Sequence, residues 1–188
     1  MSVVDSLVIR PLVAGDVPRI FKDWLMSYHS SPEVRRIPNP VFYHWHHKLL
    51  ESLMVDPTVV WLVAVALDNP NHIAGWLCAQ EFAGGTFLVH YVYVARVYRR
   101  LGLASRLLAT LGAPKDTGLM VTATTFSGNA LLTSRGNAPV YNPYLLLGRS
   151  DVPQEKERQR ADILAELRRS AKAHRVGYNL AEKPEERE

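Results

Sequence analysis

The stretch that most constrains the fold of this chain is residues 87–111, FLVHYVYVARVYRRLGLASRLLATL. Its first eight residues are rich in valine and tyrosine, a composition typical of a buried strand. After a turn that contains Gly102, leucines recur at the spacing of one helix face, at Leu103, Leu107, Leu108 and Leu111. The stretch therefore predicts a strand, a glycine-containing turn and a helix in direct succession.

The start of this predicted helix has the properties of an anion-binding site. The first amides of a helix have no acceptor within the helix, and the helix dipole places partial positive charge at that end. Arg99 and Arg100 add full positive charges just before it. Phosphate is the common ligand of such a site. An ordinary strand–helix turn, with arginines that only cap the helix, is the structural alternative.

The residues of this turn resemble motif A of the GNAT N-acetyltransferase superfamily, Gln/Arg-x-x-Gly-x-Gly/Ala, which Arg99, Gly102 and Ala104 match. The resemblance implies that acetyl-CoA is the co-substrate, with its pyrophosphate on the backbone amides of the turn and its pantetheine arm along the preceding strand. The patterns Gly-x-Gly-x-x-Gly and Gly-Lys-Ser/Thr are missing from the sequence, which favours an acyl-CoA over other nucleotides. The implied cofactor-binding residues are Val92, Tyr93, Val94, Arg99, Arg100, Leu101, Gly102, Leu103 and Ala104.

Two other segments resemble the same family. Residues 9–11 (Ile-Arg-Pro), followed by Asp16, resemble its first strand and helix, and Asp16 is expected to cap that helix. Residues 127–132 resemble its short fourth helix, where an asparagine commonly contacts pantetheine. Asn129 is the match, and a capping or turn role is its alternative. The sequence as a whole is also similar to GNAT-like proteins carried by bacteriophages.

The order of the predicted elements implies an α/β (α+β) fold, with a mixed, mostly antiparallel central sheet flanked by helices. Strands are predicted at residues 7–11, 59–67, 72–82, 87–94, 119–124 and 140–147, and helices at about 17–28, 41–54, 103–111 and 152–174. Three parts are expected: an acyl-CoA-binding domain (1–150), an amphipathic charged helix (151–175) and a solvated tail (176–188). The apolar stripe of the C-terminal helix favours packing against its own domain, with a homodimer as the alternative.

Composition and charge limit the classes of function that the chain can have. The net charge of +4 suits a polyanionic small ligand at least as well as a nucleic acid, and the usual nucleic-acid-binding signatures are missing. No apolar run approaches the roughly 20 residues that span a bilayer, and no secretory signal pattern opens the chain. With Cys78 as its single cysteine, the protein is expected in a reducing compartment: the cytoplasm, or the host cytoplasm if it is phage-encoded. His44 and His47 share one helix face, a spacing that could permit a metal site. No metal site is predicted, because no acidic or cysteine partner is nearby in sequence and adjacent histidines point apart.

Both catalytic side chains that the family commonly uses are missing from their usual places. The carboxylate that some members carry on the motif strand falls at Leu88 here. The tyrosine that protonates the leaving thiolate falls at Leu132.

Four other residues are candidates for proton transfer. His90 shares its strand parity with positions 88, 92 and 94, so it is expected on the face that usually carries the carboxylate. A histidine titrates near neutrality and suits a base, and Glu81 on the preceding strand is a second candidate base. Tyr141 and Tyr144 are candidate acids. Simple packing or a structural hydrogen bond is the alternative for all four.

Three functions stay open on the sequence. The first is an acetyl-CoA-dependent N-acetyltransferase that acts on an amine. The second is a non-catalytic GNAT-fold protein that binds CoA or a protein partner. The missing catalytic side chains are the reason for this alternative. The third, a nucleic-acid-associated protein, is not favoured. The acceptor is not predicted, because acceptor pockets are built from variable loops.

Overall fold

A computed structural model of the chain describes residues 6–32, 34–82, 86–113 and 119–123, together with residues 128, 130, 131, 140, 141, 163, 165 and 169. Within these residues, six strands form one sheet in the order in which they follow along the chain. They are β1 (Leu7–Pro11), β2 (Val59–Ala66), β3 (Ile73–Phe82), β4 (Thr86–Val94), β5 (Leu119–Val121) and β6 (Val140–Tyr141).

The sheet is mixed. Strands β1 to β4 pair antiparallel, whereas β5 runs parallel to β4 and β6 runs parallel to β5. A parallel pair needs a crossover connection, and the helix after β4 lies in that connection. The predicted mixed, mostly antiparallel sheet is therefore confirmed.

Three helices flank the sheet in the described part of the chain: α1 (Val17–His29), α2 (Asn39–Val55) and α3 (Leu103–Thr110). The buried residues of α1 and α2 share one apolar core with one face of the sheet. Those of α3 share a second core with the opposite face. The helices predicted at 17–28, 41–54 and 103–111 agree with these bounds to within a few residues. Most of the helix predicted at 152–174 lies outside the described residues.

The start of α1 differs from the prediction at Asp16. Its carboxylate does not cap the helix. Instead it forms a bidentate ion pair with Arg10, at 2.6 and 2.9 Å, and accepts the amide of Val13 at 3.0 Å. The expected cap is therefore wrong, because an arginine fork satisfies both carboxylate oxygens and outcompetes a single backbone amide.

An aromatic stack joins α1 to the middle of the sheet. The ring of Trp24 on α1 stacks on Tyr91 of β4 at 4.7 Å and on Trp76 of β3 at 5.4 Å between centroids. Trp61 of β2 completes the group at 6.0 Å from Trp24. Aromatic pairs of this kind contribute about 0.5–1.5 kcal/mol each beyond the burial of their area. The stack fixes α1 across the three central strands.

Strand β4 contains a β-bulge at His90. Cys78 of β3 faces Tyr91, and the next residue of β3 faces Val89, so His90 has no counterpart on β3. The alternation of side chains shifts there by one residue. Val89 and Val92 both pack on the α3 side of the sheet, whereas Tyr91 packs on the α1 side. The expectation that positions 88, 90, 92 and 94 share one face is therefore wrong beyond His90.

One residue of the predicted C-terminal helix is part of the core. Ile163 is helical, is 7% exposed and belongs to the core that includes α1 and α2. It also lines a cavity of about 210 Å³ with Leu12, Met54 and Trp61. This segment therefore contacts its own domain at Ile163, and the alternative of a homodimer stays a prediction.

No helix in the described ranges combines the length and the apolar character that crossing a membrane requires.

The contact between β3, β4 and α3 can be tested at Gly75. A Cβ at Gly75 would lie 2.7 Å from the carbonyl oxygen of Tyr93 and 3.2 Å from Leu103 Cδ2. We expect Gly75→Ala to lower the free energy of unfolding by about 1–3 kcal/mol, because the backbone of β4 must move to admit the methyl group. Gly15→Ala is the control, since a Cβ at Gly15 meets no atom within 4 Å. Urea unfolding measures both, and equal midpoints for the two variants would contradict this packing.

Candidate functional site

The turn between β4 and α3 presents unpaired backbone amides. Gly102 is the N-cap of α3, and the first hydrogen bond of the helix joins the amide of Arg106 to the carbonyl of Gly102 at 3.0 Å. No side chain caps this end. Among the described residues, no backbone carbonyl accepts a hydrogen bond from the amides of residues 101–104. These amides and the helix dipole therefore create a positive potential at the turn.

Two residues of the turn hold it in an uncommon backbone conformation. Arg100 has φ 64° and Gly102 has φ 82°, both in the left-handed region. Glycine adopts this region without steric cost, whereas a residue with a Cβ pays about 1–2 kcal/mol. A Cβ built on Gly102 meets nothing within 4 Å, so the space beside its backbone is open to an approaching molecule. The conformation of the turn therefore leaves the backbone at Gly102 open to a ligand.

The arginines of this region serve different purposes. The side chains of Arg99 and Arg100 are exposed at the turn. Arg99 Nε donates to the carbonyl oxygen of Val94 at 3.0 Å, which holds this guanidinium at the end of β4. Arg106 instead donates to the carbonyl of Leu7 at 3.1 Å and ties α3 to β1. The charges at the turn therefore come from Arg99 and Arg100.

One edge of β4 is open along the half that leads to this turn. Strand β5 pairs with β4 only from Phe87 to Val89. The last backbone bond between them joins the amide of Thr122 to the carbonyl of Val89 at 3.3 Å. Beyond that bond, no described strand pairs with β4 on this side. We call residues 91–94 and residues 99–104 of the turn the strip. In the described part of the chain, β5 does not pair with its first part, and no backbone carbonyl accepts a hydrogen bond from the amides of residues 101–104.

The strip contains most of the residues predicted to bind the cofactor. The members that the structure places along it are Val92, Tyr93, Val94, Arg99, Arg100, Leu101, Gly102, Leu103 and Ala104. Asn129 lies outside the described residues.

His90, the first candidate base, is enclosed at the bulge. It is 2% exposed, its Nδ1 lies 3.1 Å from Thr122 Oγ1, and its Nε2 has no partner in the described part of the chain. Burial lowers the pKa of His90 from 6.5 to about 4, and the negative charge of Asp56 opposes this only in part. His90 is therefore neutral at pH 7 and a weak acceptor of protons. Its role as a base stays a prediction.

The other candidates for proton transfer lie farther from the open strip. Glu81 is exposed near the end of β3, opposite Phe87, and so lies toward the end of β4 that is remote from α3. Tyr141 is exposed in β6 and pairs with Val121, two strands away from Val89, a separation of roughly 10 Å by strand spacing. Tyr144 lies outside the described residues. Of the three candidates that the structure describes, only His90 lies at the point where the strip begins.

Several polar groups near the strip escaped the sequence analysis. Tyr91, whose hydroxyl lies 3.0 Å from Ser27 Oγ on α1, has its pKa raised to about 12 by burial. The pKa of Tyr93 is also raised by burial, and its hydroxyl interacts with Arg19. Thr122 is buried beside His90. No local pattern indicates such contacts, because they depend on how α1 and β5 pack on β4.

The described part of the chain contains no group of three histidine, cysteine or acidic residues arranged to hold a metal ion.

Comparisons with known proteins bear on these features. The family model described as "Acetyltransferase (GNAT) family" matches residues 19–125, more than half of the chain. The match spans α1, the bulged strand and the turn before α3. No curated protein matches the sequence.

Solved structures resemble the fold at low sequence identity. The chain is similar to a possible acetyltransferase from Clostridium difficile 630, with a TM-score of 0.52 and 17% identity over 79% of this chain and 99% of that one. It is also similar to ribosomal-protein-alanine N-acetyltransferase from Brucella melitensis biovar Abortus 2308, with a TM-score of 0.47 and 17% identity over 79% and 99%. A third is PaiA N-acetyltransferase from Thermoplasma acidophilum in complex with coenzyme A, with a TM-score of 0.44 and 16% identity over 57% and 70%. The first similarity supports the fold alone.

The enclosure of His90 predicts a pH dependence of stability. Since the folded protein binds the proton of His90 only near pH 4 and the unfolded chain binds it near 6.5, stability falls as the pH drops from 7 toward 4. This group alone should account for about 3 kcal/mol of that loss. His90→Asn should remove this component, whereas the contribution of His46, whose pKa burial also lowers, is common to both proteins. Urea unfolding at a series of pH values measures the difference, and parallel stability curves would show that His90 is not enclosed.

Proposed function

Because the chain belongs to the GNAT acetyltransferase family, we propose that it transfers the acetyl group of acetyl-CoA to an amine. The observation that supports this most is the unpaired amides of residues 101–104, which follow the unpaired edge of β4 after one short 3-10 helix, Arg96–Tyr98. A backbone strip of this kind suits a long, anionic, amide-containing molecule.

Acetyl-CoA fits the two parts of the strip. Its pyrophosphate would accept hydrogen bonds from the amides of residues 101–104, with Arg99 and Arg100 supplying charge. The amides of its pantetheine arm would pair with the backbone of residues 92–94, as an added strand pairs with a sheet edge. The open space beside Gly102 is what allows the phosphates to approach the backbone.

The reaction then requires three events at the bulged end of the strip. The amine, in its neutral form, attacks the thioester carbonyl carbon, and a carbon–nitrogen bond forms. The tetrahedral intermediate collapses, the carbon–sulfur bond breaks, and the thiolate takes up a proton. Backbone amides of β4 near Tyr93 would stabilise the negative oxygen of the intermediate. His90 and water are the two candidate acceptors for the proton that the amine loses, and they differ in the pH dependence they impose on kcat.

A second function, binding of CoA or of a protein partner without catalysis, is favoured by one observation. Leu88, where some family members carry a carboxylate, is fully buried and apolar. Release of free CoA, measured with a thiol reagent across a panel of amines, peptides and proteins, separates the two functions. Acceptor-dependent release supports transfer. Tight binding of acetyl-CoA without release for any acceptor supports the second function.

The proposed cofactor site can be tested with variants of two glycines that both have a left-handed backbone conformation. Asparagine tolerates left-handed φ values, so Gly102→Asn adds a side chain beside the amides with little strain. Gly112→Asn is the matched control, since Gly112 has φ 88° at the other end of α3. We expect Gly102→Asn to raise the dissociation constant for acetyl-CoA at least about tenfold, a loss of about 1.4 kcal/mol, and Gly112→Asn to leave it within about twofold.

Titration calorimetry measures both variants against the wild type. No binding of acetyl-CoA to the wild type at millimolar concentration would contradict the ligand. Equal affinities for the two variants would contradict the site.

A further inference from the structure

The separation of β4 from β5 occurs at one point. The two strands pair in parallel register as far as Val89 and Val121. One backbone bond follows, from the amide of Thr122 to the carbonyl of Val89, and at 3.3 Å it is long for its type. The strands then part, and the open edge of β4 begins.

Two side chains meet immediately beyond that bond. His90 is the extra residue of the bulge in β4, and Thr122 is the first residue after β5. Their side chains are joined by the hydrogen bond between His90 Nδ1 and Thr122 Oγ1. The parallel register places Leu88 beside Met120, so the residues two positions on, His90 and Thr122, share the face of the sheet opposite α3.

This contact is shielded from water. His90 is 2% and Thr122 is 7% exposed. A hydrogen bond in a low-dielectric interior is stronger than one in water, and no solvent competes for it. In the described part of the chain, it therefore adds a buried side-chain tie between β4 and β5 at the point where their backbone pairing ends.

We propose that His90 and Thr122 form a clasp that fixes the point where β4 and β5 part, and that this clasp positions the open edge of β4 for acetyl-CoA. The clasp itself stands on geometry alone, whereas its effect on acetyl-CoA rests on the proposed function. His90 is then a positioning residue. A base would need to present its free nitrogen to the amine, but the free Nε2 of His90 is enclosed. The neutral state of the imidazole keeps the clasp intact across physiological pH.

Conservative substitutions distinguish two roles of His90: the hydrogen bond to Thr122 and proton transfer by a basic imidazole. In His90→Asn the side-chain amide lies near the place of Nδ1 and can still reach Thr122, but no basic nitrogen remains. In His90→Gln the side-chain amide lies near the place of Nε2 and cannot reach Thr122. Thr122→Val removes the hydroxyl without a change of shape, and Thr122→Ser retains it.

The experiment measures the dissociation constant for acetyl-CoA by calorimetry and the deuterium exchange of the Thr122 amide in all four variants. It also measures kcat as a function of pH in the wild type and in His90→Asn. We expect Thr122→Val and His90→Gln to weaken acetyl-CoA binding by about tenfold, within the range found for residues that orient a ligand-binding group, and to speed the exchange. In Thr122→Ser and His90→Asn, which keep the hydrogen bond, both the dissociation constant and the exchange rate should stay near their wild-type values. The pH profile of kcat should keep its shape in His90→Asn.

Two results would overturn the proposal. The first is wild-type affinity and exchange in Thr122→Val. The second is a loss of kcat of about a hundredfold in His90→Asn, with one limb of the pH profile removed and acetyl-CoA affinity retained, which would make His90 the base. If the wild type does not bind acetyl-CoA at all, the proposed function fails, and the exchange of the Thr122 amide still decides whether the clasp exists.

Discussion

The one-sided pairing of β4 is the constraint on which the rest of this structure depends. On one side β4 pairs with β3 along most of its length, interrupted by the bulge at His90. On the other side β5 leaves it after Val89. A sheet edge with unpaired backbone groups is normally a liability that proteins cover or charge. Here the unpaired edge leads toward the unpaired amides before α3, and we propose that the two together bind acetyl-CoA.

A strand that lacks a partner on one edge must be held in place by the elements that pack against its other sides. The aromatic stack of Trp24, Trp76 and Tyr91 fixes α1 against β3 and β4 on one face of the sheet. On the other face, the lack of a side chain at Gly75 lets β3, β4 and α3 approach closely. The half of β4 that β5 does not pair with therefore packs on two cores, and a ligand that binds there meets a strip that is already formed. Such preorganisation lowers the entropic cost of binding.

Much of this could be predicted from the sequence, because the informative patterns are local. The glycine and arginines of residues 99–104 and the leucine spacing of α3 identify the turn and the family, both of which are confirmed. Apolar runs bounded by prolines and glycines gave the strands. These features depend on interactions between residues close in the chain.

What escaped prediction depends on contacts between distant segments. The bulge at His90 is visible only in the register of β4 against β3, and it reverses the faces that simple alternation assigns to Val92 and Val94. Asp16 has a favourable sequence position for a helix cap, yet Arg10 on β1 takes its carboxylate. Thr122 has no local signal at all. The proton acceptor and the acid stay predictions for the same reason, since they are set by side chains that converge from separate elements. The amine that accepts the acetyl group is not predicted at all.

The most direct measurement of the central claim is a titration of the ¹⁵N-labelled protein with acetyl-CoA, followed through its backbone amide resonances. If acetyl-CoA lies along the open edge of β4 and on the start of α3, the amides of residues 91–94 and 101–104 should shift together and saturate with one dissociation constant. Free CoA should shift the same amides, because it carries the same pyrophosphate and pantetheine arm. Saturable shifts confined to other parts of the chain, with these amides unchanged, would contradict the account.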